Sequence, residues 1–236
     1  MTKYYKIAGL TVAMDSFGRT VTQAEPYLCE TCEKPDIVIR SDWKRLQESQ
    51  PHLSDEDSEY LMSGSSFYSQ LLNFQGMLLH SSAVVKDGQA YLFTAACGTG
   101  KSTHTQLWLH NFPDAYILND DKPALRLEDG KFYAYGTPWS GKTAQNCNVW
   151  VPLAGICVLR RGAENKIEPY SGSAALHDIL EQTIRPKNTV LSGNLLEVLD
   201  KLVTSVPVWK LECNMNPEAA YISYNTMSGK ETIRCS

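Results

Sequence analysis

Apolar and polar positions divide the chain into stretches of different period. The alternation in Tyr5-Lys6-Ile7-Ala8-Gly9-Leu10-Thr11-Val12 and the run Asp36-Ile37-Val38-Ile39 predict strands of a small sheet, joined by a polar, proline-containing loop. Ser54-Asp55-Glu56-Asp57 has the form of a helix start with acids in its first turn, and Ser65 to Phe74 reads as a second helical piece. Two apolar runs, Met77 to Val85 and Gln89 to Ala95, flank Lys86-Asp87-Gly88, and Asp-Gly between such runs signals a hairpin. A helix-like run, Ser102 to Leu109, follows. Then come strand-like runs at Ala115 to Leu118, Ala124 to Leu127 and Lys131 to Tyr135, with Asp129-Gly130 as a second hairpin turn, and further strands at Gly155 to Arg160 and Lys166 to Tyr170. The period then becomes helical over Ala174 to Ile184 and Asn194 to Val203. A last strand, Val206 to Leu211, precedes a helix opening at Asn216-Pro217-Glu218.

Between the strand ending at Ala95 and the helix starting at Ser102 the chain reads Ala95-Ala96-Cys97-Gly98-Thr99-Gly100-Lys101-Ser102. Small residues and glycines let successive backbone N–H groups turn toward an anion, and the helix aims its positive dipole end at the same place. The pattern predicts a nucleotide phosphate cradled by Cys97, Gly98, Thr99, Gly100, Lys101, Ser102 and Thr103. Lys101 would reach the β and γ phosphates and Ser102 would give its hydroxyl to Mg²⁺. Ala95 stands where the motif usually has its first glycine, which requires a negative φ there.

The 236 residues are enough for a full core, with a division expected at 1–75, a small N-terminal strand and helix region, and 76–236, a nucleotide-binding body. A net charge of −4 without a Lys/Arg run argues against nucleic acid and anionic membranes as partners. Residues 1–14 lack the apolar stretch of a secretory signal, and the longest apolar run, Val149 to Leu159, contains Pro152 and is too short to span a bilayer. A cytoplasmic protein with reduced thiols is the expectation for its seven cysteines. Cys29 and Cys32 form a C-x-x-C without a second half at zinc-ribbon spacing, and a structural role is expected of them. Cys97, at a helix N-terminus, is a candidate oxidation-sensitive thiol.

Hairpins on both sides of the loop predict a mixed or antiparallel sheet, unlike the alternating strands and helices of a doubly wound nucleoside triphosphatase. From Leu78-Leu79-His80-Ser81-Ser82-Ala83-Val84-Val85 through the loop to Leu118-Asn119-Asp120-Asp121, and more loosely over Gly136-Thr137-Pro138-Trp139-Ser140-Gly141-Lys142, the chain resembles the HPr kinase/phosphorylase catalytic domain. About half of the chain is covered, without the Glu-Val-Arg-Gly-like motif of true HPr kinases. The resemblance implies a mixed α+β, phosphoenolpyruvate carboxykinase-like fold. It further implies His80 near the phosphates, Lys101 on phosphate, and an Asp120-Asp121 pair that accepts the hydroxyl proton and helps hold metal, with Ser102 and Asp121 as the magnesium ligands. It leaves open which aspartate is the base.

Phosphoryl transfer independently needs a phosphate cradle, a metal held by hydroxyl and carboxylate, and a group orienting the nucleophile. Gly136 to Lys142 reads as a flap bringing Thr137 and Lys142 to phosphate or substrate, or as a plain turn; Arg160 and Arg161 read as phosphate ligands or as the solvent end of a strand. His104 and His177 are expected to be structural or at the surface, His104 on the outward side of its helix. The leading expectation is an ATP- and Mg²⁺-dependent kinase acting on a hydroxyl of a peptide, protein or small molecule, serine above all, and forming homo-oligomers as that family does. A nucleotide-binding accessory protein and a carboxykinase are the alternatives.

Overall fold

The structure is a computed structural model that describes residues 2–30 and 34–230. Strands β1 (Lys3–Ile7) and β2 (Leu10–Met14) form an antiparallel hairpin, so the alternating stretch is folded back on itself. It turns at Ala8-Gly9, where φ is +51° and +76°; positive φ at both central residues lets the strands keep their twist. Helix α1 (Gly18–Ala24) occupies what reads in the sequence as loop, and β3 (Ile37–Ile39) pairs in parallel with β2. Cys29 is exposed, whereas Cys32 lies outside the described residues, and the C-x-x-C expectation with it.

A short helix, α2 (Trp43–Ser49), leads to α3 (Asp55–Leu71), where the sequence suggests two separate pieces. Ser54 caps it by accepting the Asp57 N–H, and Asp55, Glu56 and Asp57 face its positive end. The buried positions Tyr60, Ser63, Gly64, Phe67, Tyr68 and Leu71 follow the helical period. They are masked in the sequence by Ser63-Gly64-Ser65-Ser66, whose intrinsic helix preference is weak. Gly64 has a packing reason: a Cβ there would lie 2.9 Å from Cδ1 of Trp139.

The larger sheet holds nine strands. They are β4 (Gly76–Leu78), β5 (Ser81–Lys86), β6 (Gln89–Thr94), β7 (Tyr116–Asn119), β8 (Ala124–Glu128), β9 (Lys131–Tyr135), β10 (Trp150–Arg161), β11 (Lys166–Pro169) and β12 (Val208–Cys213), and the main path runs β4-β8-β9-β10-β6-β5-β7. Pairing is antiparallel except for β10 with β6 and β10 with β12, so the sheet is mixed, as the two hairpins predict. Both Asp-Gly turns are present, with φ of +52° and +71° at Asp87-Gly88 and +49° and +76° at Asp129-Gly130. The run Met77 to Val85 is broken at Leu79-His80: β4 pairs with β8, while β5 pairs with β6 and β7.

Helix α4 (Lys101–Asn111) follows the glycine-rich loop; α5 (Gly172–Glu181), α6 (Thr189–Ser205) and α7 (Glu218–Met227) complete the chain. Leu195, Val198, Leu199 and Leu202 of α6 join Leu92, Leu118 and Ile156 of the sheet in one core. Trp108 of α4 and Tyr224 of α7 join Tyr91 and Phe93 in another. A third core unites Ile7, Val12 and Ile37 of the N-terminal sheet with Phe67 and Tyr68 of α3 and with Tyr135 and Trp139. Among the described residues no helix is long and apolar enough to cross a membrane.

Candidate functional site

The loop leaves β6 at buried Ala95 and enters α4 at Lys101. Ala95 is not among the positive-φ residues, so a Cβ is accommodated there without strain. Gly98 and Gly100 have φ of +76° and +122°, conformations that other residues rarely adopt, and no neighbouring atom lies within 4 Å of where a Cβ at Gly98 would be. The first intrahelical bond runs from His104 N–H to Gly100 O, leaving the N–H groups of Lys101, Ser102 and Thr103 at the helix mouth. Cys97, Ser102 and Thr103 are exposed there.

Two cations brace the loop. Arg161, the exposed last residue of β10, ends its strand at solvent as one of its two readings has it, and from there donates to the carbonyls of Gly98 and Thr99, the latter at 3.2 Å. Lys101 Nζ donates to Ala95 O at 3.1 Å. Burial lowers the pKa of this amine, and the nearby Asp121 and Asp120 carboxylates oppose that shift. A cavity of about 510 Å³, bordered by Thr99, Thr103, His104, Leu107, Arg161 and Met215, adjoins the loop and falls within the size range of small-ligand pockets.

At the end of β7, Asn119 builds the turn that presents both aspartates. Its side-chain oxygen accepts the N–H groups of Asp121 (3.0 Å) and Lys122 (2.7 Å), and its amide donates to Thr137 O (2.9 Å). Asp120 points inward: one carboxylate oxygen accepts from Ser82 Oγ at 2.6 Å and the other from Thr143 Oγ1 at 3.0 Å. Ser82 Oγ also lies 2.8 Å from Thr105 Oγ1 of α4, within the first turn and a half of the loop helix. Asp120 is therefore tied to that helix through two hydroxyls.

Asp121 is held differently. His80 Nε2 lies 3.0 Å from its Oδ1, and the Lys122 ammonium contacts its Oδ2. Burial pushes this carboxyl up, but the His80 hydrogen bond and the Lys122 charge outweigh it and hold the pKa at about 2. His80 is fixed in turn by Gln182, whose Oε1 is 3.2 Å from Nδ1 and whose carbonyl accepts the His80 N–H at 2.7 Å. The structure thus brings His80, Asp120, Asp121 and Lys101 together at one end of the sheet.

Other expectations are corrected. Gly136 to Ser140 is buried, not a flap. Thr137 has no exposed surface, and its hydroxyl bonds Lys122 O and the Tyr68 hydroxyl, so it supports the aspartate turn from behind. Lys142 is exposed beyond Gly141. His104 faces inward, 3% exposed, against Phe93 and α7. Ser223 Oγ donates to a backbone carbonyl of its own helix and accepts from Trp108 Nε1 at 2.9 Å, so His104 supplies the third bond as a donor from Nε2, at 3.1 Å. Its Nδ1 has no hydrogen-bond partner among the described residues, and burial lowers its pKa to about 4. Arg160 pairs with Asp178, and His177 is exposed.

Sequence reasoning misses Asn119, Ser82 and Gln182. An asparagine one residue before an acidic pair is a turn-building signal that was there to be read. Ser82 and Gln182 have none, because their partners are 38 and 102 residues away.

No curated protein matches this chain. Among the solved structures that do, the Hpr(Ser) kinase/phosphatase from Coxiella burnetii aligns with 65% of this chain and 95% of its own, at 10% identity and a TM-score of 0.39. The family model described as SynChlorMet cassette protein ScmC matches residues 52–217, from just before α3 through the loop, the aspartate turn and β12. By that match, which takes in well over half of its length, the chain belongs to the SynChlorMet cassette protein ScmC family.

Proposed function

We propose that this chain is an ATP- and Mg²⁺-dependent kinase that transfers the γ-phosphate to a hydroxyl, a serine in a peptide or protein, on a phosphoenolpyruvate carboxykinase-like scaffold. One observation carries the reading: the hydroxyl relay from Asp120 through Ser82 to Thr105 sets the aspartate pair against the helix of a glycine-rich loop. Phosphate cradle and carboxylates are thereby fixed in one frame, as positioning-dominated phosphoryl transfer demands.

The residues present fit a magnesium ion. Ser102 is exposed at the helix mouth, and among the described residues Asp120 accepts from the neutral hydroxyls of Ser82 and Thr143, so Ser102 and Asp120 would hold it; Mg²⁺ commonly takes one or two protein oxygens plus phosphates and water. Asp121, already neutralised by Lys122 and His80, takes the nucleophile side instead of the metal side. A magnesium ion held there would neutralise charge on the phosphates.

In the reaction the acceptor oxygen bonds to the γ-phosphorus, the bond to the ADP oxygen breaks, and the hydroxyl proton passes to Asp121. A carboxylate this acidic is a weak base. It suffices because the transition state is loose, and the proton leaves after the group has been oriented. Lys101 and the loop N–H groups hold charge on the phosphates, while His80, anchored by Gln182, keeps the Asp121 carboxylate in place.

The test is incubation with γ-labelled ATP and Mg²⁺, with and without serine-containing peptides encoded beside the gene. Label on a serine supports the proposal. Bound ATP with neither transfer nor hydrolysis in the presence of those peptides refutes it, in favour of a nucleotide-binding accessory role.

A further inference from the structure

Two small cavities meet at Lys122, the residue after Asp121. One, of about 250 Å³, is bordered by His80, Lys122, Gln182 and Thr183. The other, of about 170 Å³, is an apolar slot walled by Tyr60, Gly64 and Tyr68 of α3 and by Trp139, with Leu61, Ser65 and Ile184 at its mouth. Leu78, Lys122 and Ile184 border both cavities. Neither reaches the size of a nucleotide-sized pocket, and the slot has room for one side chain.

Resting on the kinase reading, we infer that the slot is a specificity pocket for the acceptor: the enzyme selects a peptide hydroxyl that has a bulky apolar or aromatic side chain one or two residues away. The distances set that spacing. Lys122 Nζ touches the Asp121 carboxylate and lies 5.9 Å from the centre of the Tyr60 ring, while consecutive Cα atoms are about 3.8 Å apart. His80 and Lys122, which hold the Asp121 carboxylate, border the first cavity, so a peptide whose hydroxyl lies beside them puts its near neighbour over the slot.

The chemistry of the walls points the same way. The three aromatic rings that wall the slot carry no charge, and Trp139 is fixed by stacking on Phe67, with centroids 4.9 Å apart. Leu61 is 42% exposed at the rim, an apolar surface that an apolar occupant would cover. The Lys122 ammonium beside the mouth disfavours a cationic neighbour. The slot owes its walls to α3, which explains why a helix outside the nucleotide-binding sheet packs against the aspartate turn.

A positional library of short peptides with one central serine, a single varied neighbour and radiolabelled ATP tests this, with direct peptide binding followed by calorimetry in parallel. The expected result is a preference for Phe, Tyr, Leu, Ile or Met over Ala at one near position, on the order of ten- to a hundred-fold in kcat/KM and carried mainly by KM. Ser65→Phe, which fills the mouth, and Leu61→Asp, on the exposed rim, each reduce that preference toward unity. Serine phosphorylation without any neighbour preference, or a preference unchanged in both variants, overturns the slot while leaving the kinase intact. Apolar-selective binding that both variants abolish, with no transfer, keeps the slot and refutes the kinase; neither binding nor transfer overturns both.

Discussion

Asp121→Asn preserves the shape of the side chain and removes its charge, which makes it a sharp test of how the site is held. The carboxyl has its pKa at about 2 in the fold against an ordinary 3.8. At 1.36 kcal/mol per pH unit, the gap corresponds to about 2 kcal/mol of stability. Because the folded value is the lower one, that stability is fully present above pH 3.8 and is lost as pH falls through about 2, where the native carboxyl also takes up its proton. At neutral pH the asparagine variant is expected to unfold about 4 to 8 °C below wild type by calorimetry, using about 2 to 4 °C per kcal/mol for a chain of this size. Between pH 4 and 2 wild type loses stability that the variant never had, so their melting curves converge. Transfer to a serine peptide is expected to fall by about 10²- to 10⁴-fold, with ATP affinity within about two-fold of wild type. Equal melting temperatures at neutral pH and parallel acid slopes would refute the ion-pair reasoning. Retained turnover in a folded variant would remove Asp121 from the chemistry.

Lys101→Ala is expected to abolish transfer yet cost only about 1 kcal/mol, one hydrogen bond to Ala95 O, so normal melting with no label transferred is the outcome to look for. Arg161→Met loses two bonds to loop carbonyls without touching the aspartates, and should weaken nucleotide binding by calorimetry about ten-fold while the fold persists. Asp120→Asn should shift the Mg²⁺ dependence of transfer to higher concentration; an unchanged Mg²⁺ titration would place the ion elsewhere. His104, with its pKa at about 4 in the fold against 6.5, stays neutral while the unfolded chain protonates. Wild type should therefore lose stability, on the order of 3 kcal/mol, as pH falls from 6.5 to 4, and His104→Gln should show a flatter melting profile over that window.

The parts of the fold that could be read in the sequence are those built by local contacts. Asp87-Gly88 and Asp129-Gly130 name their hairpins because positive φ at two adjacent positions leaves few residue choices, and Ser54 names its helix because a cap acts within three residues. Ala8-Gly9 makes the same turn without an Asp, and alternation alone does not reveal the reversal. The break at His80 falls at the polar His80-Ser81-Ser82 inside the run Met77 to Val85, and the Gln182 carbonyl that accepts the His80 N–H lies 102 residues later. The same limit governs the site. The loop and the acidic pair are visible as short strings, but the burial of Thr137 and the inward turn of His104 depend on Tyr68 and Ser223, which no local pattern connects to them.

The twelve residues of β10 pair with β9 at their start, with β6 through the middle and with β12 toward their end, and then deliver Arg161 to carbonyls 62 and 63 positions earlier in the chain. The loop's glycines permit its shape, but its bracing depends on a strand not yet synthesised when they leave the ribosome. In folding terms the bracing is a contact of high sequence separation, reached only after the closure entropy of a long segment has been spent. A fragment ending before Trp150 carries the complete string Gly98-Thr99-Gly100-Lys101-Ser102 and the Lys101 brace, but not the Arg161 clamp on its carbonyls. The braced shape of the loop is thus acquired late, together with the completed sheet.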